Sequence, residues 1–424
     1  MRTLLLFCLA VSISGCSISH FVNKEIKRST VFSQQHTGLS IANLTGAKEL
    51  AGYQSNRYFN PASNTKLFSF YAGLNALGDS IPGLEYLEWG ELLIIRGTGD
   101  PSLLHPDLPH SAVFDFLKNR KEPIFFTPVN FQEKRFGPGW AWSDYGDYYQ
   151  AERSALPLYG NIARFSHSTG GKPQVLPSYW RPFLVADTTA SGIERDEFAN
   201  IFHHSDLGVP SGLIQDVPVR TSDSLTVRML SDTLGKEVKL IHVPINIELQ
   251  TVYSIPSDSL YYRMLQVSDN MLAEQLMLLY ASQKGLPLNT QGGIDHAIEH
   301  YLSDLPDRPI WRDGSGLSRY NLFTPRSIVA LLQKIYAKMP EERLFKLLPA
   351  GGKTGTISAQ YKEEPPFVFA KTGTLSNNYC LSGYLISKKG KRLVFSFMNN
   401  NYPTSTATVR KEVERILTKL HNKF

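Results

Sequence analysis

The chain has 424 residues, enough for a large core and two domains, and its 44 basic and 38 acidic residues leave a net charge of +6. Apolar residues make up 42 % and charged residues 19 %, ordinary globular values that argue against a chain disordered throughout. The basic excess is small and scattered, without a stripe interleaved with aromatics, so a nucleic-acid partner is not indicated; a mildly basic surface suits an anionic polymer or serves only solubility.

Arg2 precedes an apolar run from Leu4 to Val11, too short to cross a bilayer as a helix. Ile13-Ser14-Gly15-Cys16 follows, and small residues directly before a cysteine resemble the bacterial lipoprotein signal. Residues 1–15 are therefore expected as a signal peptide and Cys16 as the lipidated residue; the alternative is an ordinary signal peptide that happens to contain a cysteine. On this reading Cys8 is lost with the signal and only Cys380, set among strand-like residues, remains as a buried, inert thiol. No second hydrophobic span occurs, so the expected body is soluble, periplasmic and held to a bacterial membrane by its lipid. Residues 16–36 read as a polar tether.

Gly38 to Asn43 and Lys48 to Tyr53 alternate around a Leu44–Ala47 turn and predict a β-hairpin. Pro61 to Leu77 predicts a helix: proline suits its first turn, and Leu67, Phe70, Tyr71, Leu74 and Leu77 recur at helical spacing. From residue 79 to 250 the texture changes, with frequent Gly, Pro, Trp and Tyr and short apolar runs, which predicts an inserted, mainly β domain. Helical character returns at Ser257 to Gln266 and again from Met271. Phe367 to Thr374, Tyr379 to Ser387 and Arg392 to Asn399 are strand candidates, and Val409, Val413, Ile416, Leu417 and Leu420 mark an amphipathic closing helix. The expected fold class is α+β, an α/β sandwich with an antiparallel sheet flanked by helices. One domain takes residues 37–78 and 251–424, and residues 79–250 are inserted into it.

Three motifs stand in order: Ser63-Asn64-Thr65-Lys66, Ser268-Asp269-Asn270 and Lys371-Thr372-Gly373-Thr374. A hydroxyl needs a base beside it to act as a nucleophile, and residues three apart on a helix share a face, so Lys66 can point at the Ser63 oxygen. Ser63 in a first helical turn also has free backbone N–H groups and a favourable dipole nearby. Against this, serine favours helix starts as a cap, and Ser-Asp-Asn is common in turns. Asp269 is assigned to turn structure. Lys-Thr-Gly-Thr occurs twice; Lys353 follows turn-like residues, whereas Lys371 follows the β-run Phe367–Phe369, so Lys371 is chosen. The eleven histidines show no metal-ligand spacing, and Gly97–Gly99 lacks the lysine and helix of a phosphate loop, so neither metal nor cofactor is expected.

These motifs, with Asp313-Gly314-Ser315-Gly316-Leu317-Ser318 and Gly97-Thr98-Gly99-Asp100-Pro101-Ser102, resemble penicillin-binding serine D-Ala-D-Ala carboxypeptidases and endopeptidases whose transpeptidase-type domain, a serine β-lactamase/DD-peptidase-like fold, carries an inserted domain. Nearly half the chain lies between Ser63 and Ser268, more than a class A β-lactamase allows. The resemblance implies Ser63 as nucleophile, Lys66 as general base and Ser268 as proton relay to the leaving amine. It implies Asn270 on the substrate amide, Lys371, Thr372 and Thr374 on the terminal carboxylate, Gly373 leaving room along the strand edge, and Ser63 and Thr374 N–H groups as an oxyanion hole. Asp144, in Trp140 to Tyr145, is the best match for a carboxylate that meets the free amine of the stem peptide, with Asp147 second; the other reading is an aromatic core strand with solvated turn aspartates. Expected partners are peptidoglycan peptides, β-lactam inhibitors and the membrane. A β-lactamase or esterase on the same scaffold, or a non-catalytic wall-binding lipoprotein, are the alternatives.

Overall fold

The computed structural model describes residues 18–46, 48–167, 173–205, 212–245 and 247–424; Cys16 and the expected signal peptide lie outside them. The chain divides into two compact units.

The first unit comprises the described residues up to Ala72, Tyr261–Ser268 and Ile294–Phe424. Its centre is a five-stranded antiparallel sheet in the order Val368–Leu375, Asn378–Ile386, Arg392–Asn400, His36–Asn43, Glu49–Tyr53. The N-terminal hairpin shifts register between Ile41 and Ala42. Successive side chains on a strand face opposite ways. Leu393, Phe395 and Phe397 thus pack with Val409, Val413, Ile416 and Leu417 of the closing helix Thr406–Lys423. Tyr384 serves the other face, where its hydroxyl donates to the Leu332 carbonyl at 2.8 Å. Burial on both faces explains why these strands read as almost continuous apolar runs. Leu332 lies on a helix the sequence reading did not mark, Pro325–Lys338, which starts where Thr324 caps Ser327 N and proline takes the first turn.

The expected tether is corrected by the structure. Residues 18–28 are helical, and Ile18, Val22 and Ile26, four apart, are buried in the same cluster as the closing helix. Glu25 on this helix pairs with Arg415 and with Lys419 at 3.0 Å. The intervening Asn23, Lys24, Lys27 and Arg28 give the segment its polar look.

The second unit comprises Gly73–Leu260 and Asp269–Gly293 among the described residues. A five-stranded sheet runs Val238–Leu240, Ile124–Thr127, Leu92–Gly97, Ser80–Trp89, Gln250–Pro256; the first two pairings are parallel and the others antiparallel. Two three-stranded sheets accompany it, with helices Ala112–Asn119, Asp223–Leu234 and Asn270–Gln283. Leu93, Ile95, Val113, Leu117, Phe126, Phe165, Trp180 and Leu230 share its core.

Candidate active site

In the first unit the chain reaches Ser63 through a strained turn. Ala62 has φ +46°, and the short 3-10 helix Ala62–Thr65 leads into the α-helix Lys66–Leu74. The sequence reading had one continuous helix here. Asn400 fixes the approach: its Oδ1 accepts from Asn60 N at 2.7 Å and its Nδ2 donates to Asn60 O at 3.1 Å. Asn64 is buried and donates through Nδ2 to the Lys371 carbonyl at 2.9 Å, tying the turn to the edge strand Val368–Leu375. Gly373 permits this approach. A Cβ there would strike the Pro61 carbonyl and come within 3.0 Å of the backbone nitrogens of Ser63 and Asn64. The glycine thus has a steric reason beyond the room it leaves along the edge.

Lys66 is buried. Its Nζ donates to Ser63 Oγ at 3.0 Å and to the Ser315 carbonyl at 2.7 Å. Ser315 belongs to a loop organised by the buried Asp313, whose carboxylate accepts from Gly316 N at 2.9 Å, Ser318 N at 2.6 Å and Asn321 Nδ2 at 2.7 Å. Gly316, at φ +85°, lies so close to the Ala62 carbonyl that a Cβ would overlap it. Asp313–Ser318 therefore holds both the serine turn and the lysine. The sequence leaves this segment open between a role in shaping the site and a plain pair of glycine turns.

Lys371 is also buried, and its Nζ donates to Ser268 Oγ and to the Thr372 carbonyl, both at 2.8 Å. Burial, and then the charge of Lys66, hold its pKa well below the ordinary lysine value. Ser268 occupies a left-handed conformation, φ +64°, between helices Ser257–Gln266 and Asn270–Gln283. Asp269 caps the second of these by accepting from Leu272 N at 3.1 Å. Thr372 Oγ1 donates to Thr356 Oγ1 at 2.8 Å, so the other Lys-Thr-Gly-Thr copy contributes its last threonine here while Lys353 is exposed. Thr374 is exposed on the same strand. Cys380, opposite Gly373, is buried, and burial pushes its thiol up to about 12. Ser63, Lys66, Ser268, Lys371, Thr372 and Gly373 are thus brought together by hydrogen bonds and backbone contact within one unit.

Asn270 and Asp144 belong to the second unit. Asn270 Nδ2 donates to the Tyr149 carbonyl at 2.9 Å. Asp144 lies in the 3-10 turn Trp142–Gly146 of the same stretch, which Gln150 closes by donating to the Ala141 carbonyl at 2.9 Å. The buried Arg195 holds the turn's Tyr145: the guanidinium lies 5.1 Å from the ring and donates to the Tyr145 carbonyl at 3.3 Å. The Tyr149 hydroxyl donates to Asp147 Oδ2 at 2.9 Å, and after burial the carboxylates of Asp147 and Asp144 hold its pKa above the ordinary phenol value. Among the described residues no group of His, Cys, Asp and Glu is placed to hold a metal ion.

A family model described as the D-Ala-D-Ala carboxypeptidase 3 (S13) family matches residues 22–176 and 217–422. The chain is 26 % identical over 416 residues to the D-alanyl-D-alanine carboxypeptidase DacB of Haemophilus influenzae, covering 87 % of this chain and 86 % of the relative. Its fold is similar to the crystal structure of penicillin-binding protein 4 from Haemophilus influenzae, with TM-score 0.72, 22 % identity and coverage of 92 % and 96 %. It is also similar to a penicillin G-acylated predatory endopeptidase from Bdellovibrio bacteriovorus, with TM-score 0.50, 15 % identity and coverage of 92 % and 93 %.

Proposed function

The chain belongs to the D-Ala-D-Ala carboxypeptidase 3 (S13) family, and from that premise we propose how its own residues cleave a D-Ala-D-Ala bond in peptidoglycan stem peptides. It is a serine carboxypeptidase that works through an acyl-enzyme, cuts D-alanyl cross-links as an endopeptidase and is inhibited by β-lactams. The observation that carries the assignment of roles is the 3.0 Å hydrogen bond from Lys66 Nζ to Ser63 Oγ.

Ser63 Oγ attacks the carbonyl carbon between the two D-alanines, and its proton passes to Lys66. A lysine must be neutral to accept it. A charge on either buried lysine disfavours a charge on the other, and a dry site enlarges that effect. The carbonyl oxygen gains negative charge as the tetrahedral intermediate forms, and the backbone N–H groups of Ser63 and Thr374 stabilise it. The proton that Lys66 took from Ser63 is relayed to the leaving amine through Ser268, which is in hydrogen-bond contact with Lys371, so Ser268 stays a hydroxyl and Lys66 returns to its neutral form. The terminal D-alanine departs, and water then releases the stem peptide and restores Ser63. Lys371, Thr372 and Thr374 bind the terminal carboxylate, a charge-assisted contact that a β-lactam carboxylate reproduces. Asn270 holds the substrate's backbone amide. Asp144 takes the free amine of the stem's diamino acid, a role supported by its place beside Asp147 and Tyr149 in a segment tied to Asn270.

A serine–lysine pair of this geometry does not suit a non-catalytic wall-binding protein. Among the described residues no helix is long and apolar enough to cross a membrane. The chain acts outside the cytoplasm, where stem peptides are found, with Cys16 as its lipid attachment. Penicillin treatment followed by intact-mass spectrometry tests the catalytic reading. One adduct is expected on the peptide that holds Ser63; an adduct that persists in Ser63→Ala overturns the assignment.

A further inference from the structure

We infer that the first unit carries a basic surface that docks on anionic phospholipid headgroups at the root of the lipid anchor. The inference rests on the reading of Cys16 as the acylated residue.

The helix of residues 18–28 lies against the closing helix with opposite direction. The rings of Phe21 and Phe424 meet at 5.7 Å, while Glu25 pairs further back with Arg415 and Lys419. The start of the first helix therefore sits beside the C-terminal end of the closing helix. Lys423 Nζ lies 5.1 Å from the Phe21 ring centre and 5.4 Å from that of Phe424. Lys389, in the turn between the last two strands, donates to the Lys423 carbonyl at 3.3 Å, and Lys388 N donates to the His421 carbonyl at 2.9 Å. Lys24 and Arg28 follow Phe21 by three and seven positions and so continue its side of the helix. All five basic side chains are exposed. Among the described residues Glu363 opposes this set, 3.8 Å from Lys388, and Glu25 on the same helix is taken up by Arg415 and Lys419. Among the described residues no carboxylate pairs with Lys24, Arg28, Lys389 or Lys423.

Position selects the partner. Ile18 is buried in the body, and two residue steps from Cys16 span at most about 7 Å. An acyl chain on Cys16 thus brings the headgroups within roughly one Debye length, about 8 Å at physiological ionic strength, of the start of this helix. Basic residues that close to an anionic leaflet are attracted to it, and a lipid joined to a basic patch is a recurrent pairing of anchor signals. The acyl chain supplies attachment and the lysines fix which side of the unit faces the membrane.

The test uses the full, acylated chain reconstituted in vesicles of neutral lipid or of neutral lipid with anionic phosphatidylglycerol. Hydrogen exchange is followed in peptides covering residues 18–28 and 387–391. Slower exchange, by about tenfold, is expected in anionic vesicles only. It should vanish in high salt and in Lys24→Gln/Lys389→Gln/Lys423→Gln, a variant whose β-lactam acylation stays unchanged. Equal exchange in both vesicles, or protection that survives in the variant, overturns the inference, as does protection by soluble peptidoglycan fragments in place of vesicles. Intact mass reports acylation separately. A non-acylated chain that still floats with anionic but not neutral vesicles sinks the Cys16 reading and keeps the basic surface.

Discussion

Lys371 Nζ donates to Ser268 Oγ at 2.8 Å, and among the described residues no carboxylate neutralises that buried amine. The second and third motifs therefore meet through their polar side chains, while Asn64, inside the first, reaches the carbonyl of the same lysine. One strand residue thus joins a member of each of the other two motifs. Lys371→Ala should lower the β-lactam acylation rate by the equivalent of about 2–4 kcal/mol, the usual cost of removing a charged group that stabilises a transition state. Lys353 is exposed in a turn, and Lys353→Ala should change the rate far less. Stopped-flow acylation of both variants checks the ranking, and the reverse order would mean that the other copy carries the role.

The depressed pKa of Lys371 also sets the sign of a stability effect. In the unfolded chain this lysine titrates near 10.4, and in the folded protein it titrates lower. Between those two values the unfolded state binds more protons, so unfolding takes up a proton and stability rises with pH. Denaturant unfolding followed over the pH range below about 10.4 should show this rise in the native chain. Lys371→Met should flatten it. An unchanged slope in the variant would mean that a group other than Lys371 carries this pH dependence.

Asp100 gives the opposite sign at acid pH. Its carboxyl is buried, accepts from Ser102 N at 3.0 Å and Ser102 Oγ at 2.6 Å, and burial raises its pKa to about 6. A raised folded pKa means stability that is full below the unfolded value, near 3.9, and is lost as pH rises through about 6. Asp100→Asn keeps an acceptor for Ser102 N and removes the titration. Its stability profile should lose that downward step of a few kcal/mol between roughly pH 4 and pH 6. Paired urea titrations of the two proteins measure it.

Gly373→Ala should damage acylation more than folding. The added Cβ collides with the Pro61 carbonyl and crowds the nitrogens of Ser63 and Asn64. The serine turn must move, at a cost of roughly 1–3 kcal/mol for an overpacked site. The melting temperature should fall by a few degrees and the acylation rate by more than about tenfold. Equal acylation rates in the two proteins would show that the turn accommodates a methyl group without displacing Ser63.

The sequence made plain what local pattern can carry. The three motifs, the N-terminal hairpin, the last three strands and the closing helix are each set by spacing within a few residues. The helix of residues 18–28 was legible in Ile18, Val22 and Ile26 but was hidden by its many polar residues. The capped start Thr324-Pro325 was an equally clear sign of a helix. Other features lie beyond any local pattern. The acceptor for Lys66 is the carbonyl of Ser315, most of the chain away, and a carbonyl leaves no mark in the identity of its residue. Thr356 meets Thr372 only because a turn folds back on the site strand. Nothing in the local sequence marks Arg195 as buried, yet it lies against Tyr145 and several carbonyls, and burial holds its pKa below the ordinary arginine value.

The remaining prediction separates reading of the substrate from support of the fold. Asp144 and Asp147 both act on the Tyr149 hydroxyl, and the Tyr149 carbonyl receives Asn270 Nδ2. If Asp144 pairs with the stem's ammonium group, Asp144→Asn should lower kcat/KM for a peptide with a free side-chain amine by about tenfold or more, a charge-assisted contact of roughly 1.5–3 kcal/mol. The acetylated peptide should react almost as before. Tyr149→Phe keeps the backbone carbonyl that Asn270 uses and removes the hydroxyl that orders the carboxylates. It should erode the preference for the free amine while leaving acylation by a β-lactam without an amine near its native rate. Equal losses on both peptides in Asp144→Asn would place Asp144 among the residues that shape this segment, with the amine bound elsewhere. A loss of β-lactam acylation in Tyr149→Phe would show that the hydroxyl supports Asn270 itself.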